Sequence, residues 1–99
     1  MVFFNVVLKE PTPVGGWDVR FELSKRFGEP EPFIVKSSAS GYSGVSGVTV
    51  TNSGQGSWSI PLYNAEVSGR DPGAYAYMFS RYTSGIRTEL TKGYRLMDF

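Results

Sequence analysis

Asp71-Pro72-Gly73-Ala74-Tyr75-Ala76-Tyr77-Met78-Phe79 is the stretch of sequence that decides the fold. Pro72 fixes its own φ and Gly73 tolerates a positive φ, so the chain can reverse direction at low cost before the aromatic residues begin. Tyr75, Tyr77 and Phe79 then recur at every second position, which places the three rings on one face of a β-strand. Because one strand cannot bury such a face alone, the stretch predicts a central strand in a structure of two β layers.

Short alternating segments also fill the rest of the chain. In the segment 17–23, every second residue is apolar and the others are charged, which predicts an antiparallel strand that is wet on one side. Twelve glycines and six prolines interrupt the chain at the spacing that short strands require. Further strands are expected at Val2–Leu8, Phe33–Ser38, Val48–Thr51, Ser57–Leu62, Ile86–Leu90 and Tyr94–Phe99. Seven or eight strands in 99 residues predict an all-β antiparallel sandwich, formed by a single domain over residues 1–99.

Several connections carry predictions of their own. Prolines and glycines in 10–16 indicate that the chain crosses a sheet edge there, and Pro61 indicates that its strand lies at an edge or stops pairing. One helical turn is predicted within 63–70, a tight turn at 82–85, and a break at Lys92-Gly93. The Gly- and Ser-rich segment 39–47 is expected to be a mobile loop that presents Tyr42.

Composition excludes several classes of partner. The formal net charge is +1 and no basic run exceeds Lys25-Arg26, whereas a nucleic-acid-binding protein is expected to have a clustered basic face. No apolar stretch approaches the roughly 20 residues of a membrane-spanning helix, and the apolar start lacks the basic leader of a signal peptide. The absence of cysteine fits a protein that is made and assembled in the cytoplasm. We therefore expect neither a nucleic acid nor a membrane as partner.

Residues for catalysis or metal binding are scarce. The chain has no histidine and no cysteine, which excludes the common nucleophilic triads and the usual zinc ligands. Glu29 and Glu31 lie two residues apart in a proline-flanked loop, and solvated loop charges explain them better than a glycosidase pair does. No calcium loop, phosphate loop or dinucleotide fingerprint is present. The sequence predicts a protein without catalytic residues, metal or cofactor.

Aromatic residues outside the alternating pattern are the remaining functional hint. Trp17 and Trp58 lie in phase with aliphatic neighbours, which favours the core for both. Tyrosine offers a rigid amphipathic surface that can anchor a protein contact or stack on a sugar, and partial burial at a sheet edge explains such residues equally well. Four candidates for contact residues lie in turns or out of phase with the strands: Phe27, Tyr42, Tyr63 and Tyr82.

The spacing Asp71-x-Gly73-x-Tyr75-x-Tyr77 resembles the tyrosine corner of immunoglobulin-like domains, although Tyr77 stands where antibody domains have a cysteine. This resemblance implies that the Tyr75 hydroxyl bonds to the backbone just upstream. Together with Trp17-Asp18-Val19-Arg20-Phe21-Glu22-Leu23 and Gly56-Ser57-Trp58-Ser59-Ile60-Pro61-Leu62, this spacing is similar to phage virion immunoglobulin-like modules. Such modules occur in baseplate upper proteins and in related tail or head accessory proteins. The resemblance covers most of the chain from Trp17 onward and implies an immunoglobulin-like β-sandwich.

A structural role in a virion is what this resemblance implies. The chain would dock to other virion proteins in several copies or as a homo-oligomer, after assembly in the host cytoplasm. Docking could use a hydrophobic patch or addition of an edge strand, with 2–8 or 94–99 as the pairing strand. Removal of 2–8 would then abolish assembly but leave a folded domain. The alternative function is binding of a carbohydrate or cell surface through Tyr42 and Tyr82.

Overall fold

Seven β-strands and one short helix make up the computed structural model, which describes residues 2–27, 32–38 and 47–98. The strands are β1 (Val2–Val7), β2 (Asp18–Ser24), β3 (Ile34–Ser37), β4 (Thr49–Asn52), β5 (Ser57–Leu62), β6 (Gly73–Thr83) and β7 (Ile86–Met97), and the helix is α1 (Asn64–Val67). The strand predictions are therefore confirmed at 2–8, 17–23, 33–38, 48–51 and 57–62, with ends that shift by one residue or so. The helical turn predicted within 63–70 is confirmed as α1.

Two antiparallel sheets form the sandwich. One has the order β1-β5-β4 and the other the order β3-β2-β6-β7, so the predicted all-β sandwich is confirmed with seven strands in the described residues. In the constant-type immunoglobulin arrangement the second strand belongs to the sheet of the first, fifth and fourth strands. Here β2 lies instead between β3 and β6. The chain shares the layers and the strand number of that arrangement but has its own strand order.

The core lies between the two sheets and is built by alternation along each strand. In β2 the side chains of Val19, Phe21 and Leu23 are buried, and in β5 those of Trp58, Ile60 and Leu62. Ring contacts join the layers, because Phe4 of β1 lies 4.8 Å from Phe21 and Trp58 lies 5.1 Å from Phe79, measured between ring centroids. Trp58 is buried as predicted, whereas Trp17 is half-buried at the rim, 6.2 Å from Trp58.

The corner before β6 adopts the predicted arrangement. Tyr75 and Phe79 are buried, and Tyr77 is half-buried against the same core. The Tyr75 hydroxyl donates a hydrogen bond of 2.5 Å to the carbonyl oxygen of Asp71. The predicted bond from the tyrosine hydroxyl to the backbone just upstream is therefore confirmed, and it fixes the turn against the strand that follows.

The prediction of a break at Lys92-Gly93 is wrong, because β7 runs without interruption from Ile86 to Met97. Gly93 lies opposite Tyr77 in the register, and a Cβ atom on Gly93 would lie 3.0 Å from the Tyr77 hydroxyl oxygen. Gly93 thus makes room for the ring and does not end the strand. The turn predicted at 82–85 is confined to Ser84 and Gly85, whose φ values of 51° and 81° are those of a type I′ hairpin.

The connection after β1 crosses from the three-stranded to the four-stranded sheet, as its prolines and glycines predicted. It first follows the β4–β5 turn, where Thr12 donates to the carbonyl of Gln55 and Val14 to that of Ser53. Pro61 is aligned with Phe3 of β1, while the pairing of β4 with β5 reaches only as far as Ser59. The prediction that pairing stops at this proline is therefore confirmed on the β4 side.

Candidate docking groove

A groove of about 660 Å³ separates the edges of the two sheets. β1 is the last strand of one sheet and β7 is the last strand of the other, and both line the groove. Its size falls in the range of clefts that hold ligands or peptide segments. Within the described residues, the groove brings together the edges of β1 and β7 and the apolar side chains between them.

The free edge of β1 exposes backbone groups at alternate residues. The N–H of Leu8 donates to the carbonyl oxygen of Gly56, so the backbone groups of Leu8 face the β5 side. The carbonyl oxygen of Phe3 faces the opposite side, where it accepts a hydrogen bond from Arg95. In an antiparallel ladder each residue directs its N–H and C=O to the same side. Asn5 and Val7, in phase with Phe3, therefore direct their N–H and C=O groups toward the groove.

Aromatic rings form the floor of the groove. The ring centroids of Phe4 in β1 and Tyr77 lie 5.3 Å apart, and Phe21 and Phe79 lie beside them in the core. On the β7 side the floor ends at Leu90, the extra residue at the register shift between Phe79 and Ser80. Because a bulge bends its strand and interrupts regular pairing, it directs Leu90 toward the core.

Arg95 closes one end of the groove. Its Nη1 donates a hydrogen bond of 2.8 Å to the carbonyl oxygen of Phe3, and its guanidinium lies 4.5 Å from the centroid of the Phe4 ring. These contacts tie β7 to β1. Lys9 lies at the other end of the groove. It follows Phe3, the partner of Arg95, by six residues, which corresponds to about 20 Å in an extended strand. The two charged residues that line the groove are thus both basic.

Most of the other basic side chains are occupied by contacts within the fold. Six of these eight lie over aromatic rings, among them Arg81 over Trp17 at 3.8 Å and Arg70 over Phe33 at 4.2 Å. Arg87 lies 3.7 Å from Glu22. In the described part of the chain, Lys9 has neither a ring nor a carboxylate as partner, and Arg26 is the other such residue.

The predicted contact residues do not form one site. Phe27 is 38% exposed and lies edge-on to Tyr94, 4.9 Å between centroids, on the outer face of the four-stranded sheet. Tyr82 belongs to β6 and not to a turn, and the guanidinium of Arg20 covers its ring at 4.7 Å. Tyr63 precedes α1 and is half-buried, with the ammonium of the buried Lys36 5.1 Å from its ring centroid.

Tyr42, Glu29 and Glu31 lie outside the described residues. Since the sugar-binding alternative named Tyr42 together with Tyr82, it stays a prediction from the sequence. The described residues contain no group of three or more acidic, histidine or cysteine side chains placed to hold a metal ion. Within the same residues, no helix has the length and apolar character needed to cross a lipid bilayer.

Sequence reasoning named β1 and the end of β7 as pairing strands but missed the individual groove residues. Lys9, Leu90 and Arg95 have no distinguishing pattern in the sequence. Their importance depends on which strands end each sheet and on the bulge opposite Phe79, and local alternation encodes neither feature.

Comparison with known proteins identifies no relative of this chain. No protein-family model matches the sequence, no curated protein matches it, and no solved structure matches its fold. The resemblance to virion immunoglobulin-like modules therefore stays a prediction from the residues that carry it.

Proposed function

We propose that this protein is a non-enzymatic structural or assembly component of a phage virion that docks onto other virion proteins. The observation that carries the proposal is the groove between the free edges of β1 and β7. Strand addition requires unpaired backbone groups beside pockets for alternate side chains. Asn5 and Val7 offer the first, and the ring floor offers the second.

The open edge of β1 supports a docking role. Natural sheet edges are usually kept short, charged or covered, because a long open edge invites pairing with another chain. β1 presents Phe3 and Val7 as exposed side chains, at 48% and 63%, on a strand of six residues. The virion part of the proposal rests on the sequence resemblance, which also favours several copies in one particle.

Purified particles of the phage that encodes the chain provide the test. We expect quantitative mass spectrometry to find several copies of the chain in each particle. A photo-crosslinking amino acid at Val7, beside the groove, should join the chain to other virion proteins. The same amino acid at the exposed Ala65 of α1 is the matched control and should not. Particles that lack the chain, or equal crosslinking from both sites, would overturn the proposal.

A further inference from the structure

We infer that the occupant of the groove is an extended segment of a partner protein with alternating apolar residues and an acidic residue near each end. This inference rests on the docking role proposed above and adds the chemistry of the partner. Three observations on the groove support it: the backbone groups at its edge, the apolar side chains of its floor, and the sign of its charges.

The edge of β1 determines the conformation of the occupant. Asn5 and Val7 each offer an N–H donor and a C=O acceptor toward the groove, two residues apart. An extended strand matches such a repeat with its own alternating groups, whereas a helix satisfies its backbone groups internally. The occupant therefore pairs with β1 as a fourth strand of that sheet.

The floor determines the alternation of the occupant. In an extended segment every second side chain faces the same side, and those that face inward would cover the half-buried side chains of Tyr77 and Leu90. Burial of apolar side chains against these two residues is favourable. The intervening side chains would point to solvent beside Val7, where polar residues suit the surface.

Charge determines the ends of the occupant. Lys9 and Arg95, at opposite ends of the groove, are its two charged lining residues, and neither makes an ion pair in the described structure. Arg95 uses Nη1 for the carbonyl of Phe3, and a guanidinium has five N–H donors in all. The separation of about 20 Å between the two ends of the groove matches an extended segment of about seven residues.

Two synthetic peptides test the inference on the full chain. Both have alternating valine and threonine over seven residues; one ends in glutamate at each end and the other in lysine. We expect fluorescence anisotropy to show that the glutamate peptide binds roughly tenfold more tightly at low salt. The difference should shrink at high salt because exposed charges are screened. Equal affinity of the two peptides would contradict the proposed charge recognition.

Substitutions assign the binding to the groove. Lys9→Glu should reduce or reverse the preference for the glutamate peptide. Asn5→Pro removes a donor on the free edge of β1 and should abolish binding of both peptides. Val50→Pro is the matched control and should leave binding unchanged. Thr49 pairs with Ser59 of β5, so the backbone groups of the next residue, Val50, face the free edge of β4, away from the groove. Unchanged binding by the Asn5→Pro variant would show that the peptide binds elsewhere.

Amide hydrogen exchange on the unmodified chain gives a readout that needs no substitution. Addition of the glutamate peptide should slow exchange at Asn5 and Val7 and leave Val50 unchanged; absence of protection at both would overturn strand addition. If the peptides do not bind but Val7 still crosslinks to other virion proteins in particles, the acidic occupant is rejected and the docking role remains. Peptide binding by a chain that is absent from particles would reject the virion role alone.

Discussion

At the scale of single residues, one hydroxyl group holds the corner that starts the longest hairpin. Tyr75 is 3% exposed, and its hydroxyl reaches the Asp71 carbonyl four residues earlier. The ring of Tyr75 also contacts Phe33 of the neighbouring connection, 5.5 Å between centroids. The residue therefore combines core packing with a polar bond that fixes the turn.

Tyr75→Phe should lower the free energy of unfolding by about 1 kcal/mol, because it removes the hydrogen bond and keeps the ring. For a chain of this size the melting temperature should fall by about 4–8 °C. Thermal unfolding followed by circular dichroism measures both. Tyr77→Phe is the control, since no hydrogen bond of the Tyr77 hydroxyl is found in the described structure, and it should shift the melting temperature little. Equal effects of the two substitutions would contradict a role for the corner bond.

At the scale of elements, a buried ion pair joins β3 to α1. The ammonium of Lys36 is completely buried and lies 2.7 Å from Oε1 of Glu66, whose side chain is 22% exposed. Glu66 Oε2 also accepts the backbone N–H of Tyr63 at 2.8 Å. The sequence predicted a strand at 33–38 but did not predict that Lys36 is buried. The structure explains the burial, because α1 brings a carboxylate to the edge of the core.

Glu66→Ala should destabilise the protein by about 2–3 kcal/mol, since it removes the carboxylate partner of a buried ammonium. The value lies below the 3–5 kcal/mol of a fully buried pair because Glu66 is partly exposed. Chemical denaturation measures the change. Glu89→Ala is the matched control, because the Glu89–Lys92 pair is about half exposed at both ends and should contribute less than about 1 kcal/mol. A smaller loss for Glu66→Ala than for the control would show that the buried pair does not stabilise the fold.

Gly93 makes the second prediction at this scale. Gly93→Ala should destabilise by about 1 kcal/mol, because the added methyl group would lie 3.0 Å from the hydroxyl oxygen of Tyr77 and 3.2 Å from its Cζ, and the ring would have to shift slightly. Gly15→Ala is the control, since nothing lies within 4 Å of the corresponding Cβ position. Unfolding by denaturant compares the two variants. A neutral Gly93→Ala would mean that β7 tolerates a side chain beneath Tyr77.

At the scale of the whole molecule, β1 serves the core and the docking edge at once. Its residues are aligned with β5 from Val2 to Val7, and Phe4 packs between the sheets. The sequence-based expectation that removal of 2–8 leaves a folded domain does not fit this arrangement. Without β1, β5 would keep β4 as its neighbour, and one side of the aromatic core would lie open.

Deletion of 2–8 should abolish cooperative unfolding. It removes the buried Phe4 and the partly buried Val2, Val6 and Leu8, a loss on the order of 5 kcal/mol, which approaches the total stability of a small domain. Thermal circular dichroism distinguishes the outcomes. Asn5→Pro keeps every core side chain of β1 and should still unfold cooperatively. A sharp transition in the deleted chain would show that the remaining strands fold alone.

The sequence by itself determined most of the residues that lie inside. Period two is a local property of an extended chain, so the rings of β6 and the apolar residues of β2 and β5 could be assigned to the core from their spacing. The corner bond of Tyr75 was implied by the resemblance to a tyrosine corner, and a local motif can carry it because its two partners lie only four residues apart. Six of the predicted strands, β1 to β6, follow from such local signals.

Only the tertiary structure decided which strands pair and which edges stay open. The placement of β2 beside β6, the continuity of β7 past Gly93 and the carboxylate beside Lys36 all depend on residues that are far apart in the sequence. The groove has the same origin, because β1 and β7 stand at opposite ends of the chain and meet only when the sheets pack. Side-chain direction is set by each strand alone, whereas pairing is set by the balance of contacts over the whole fold.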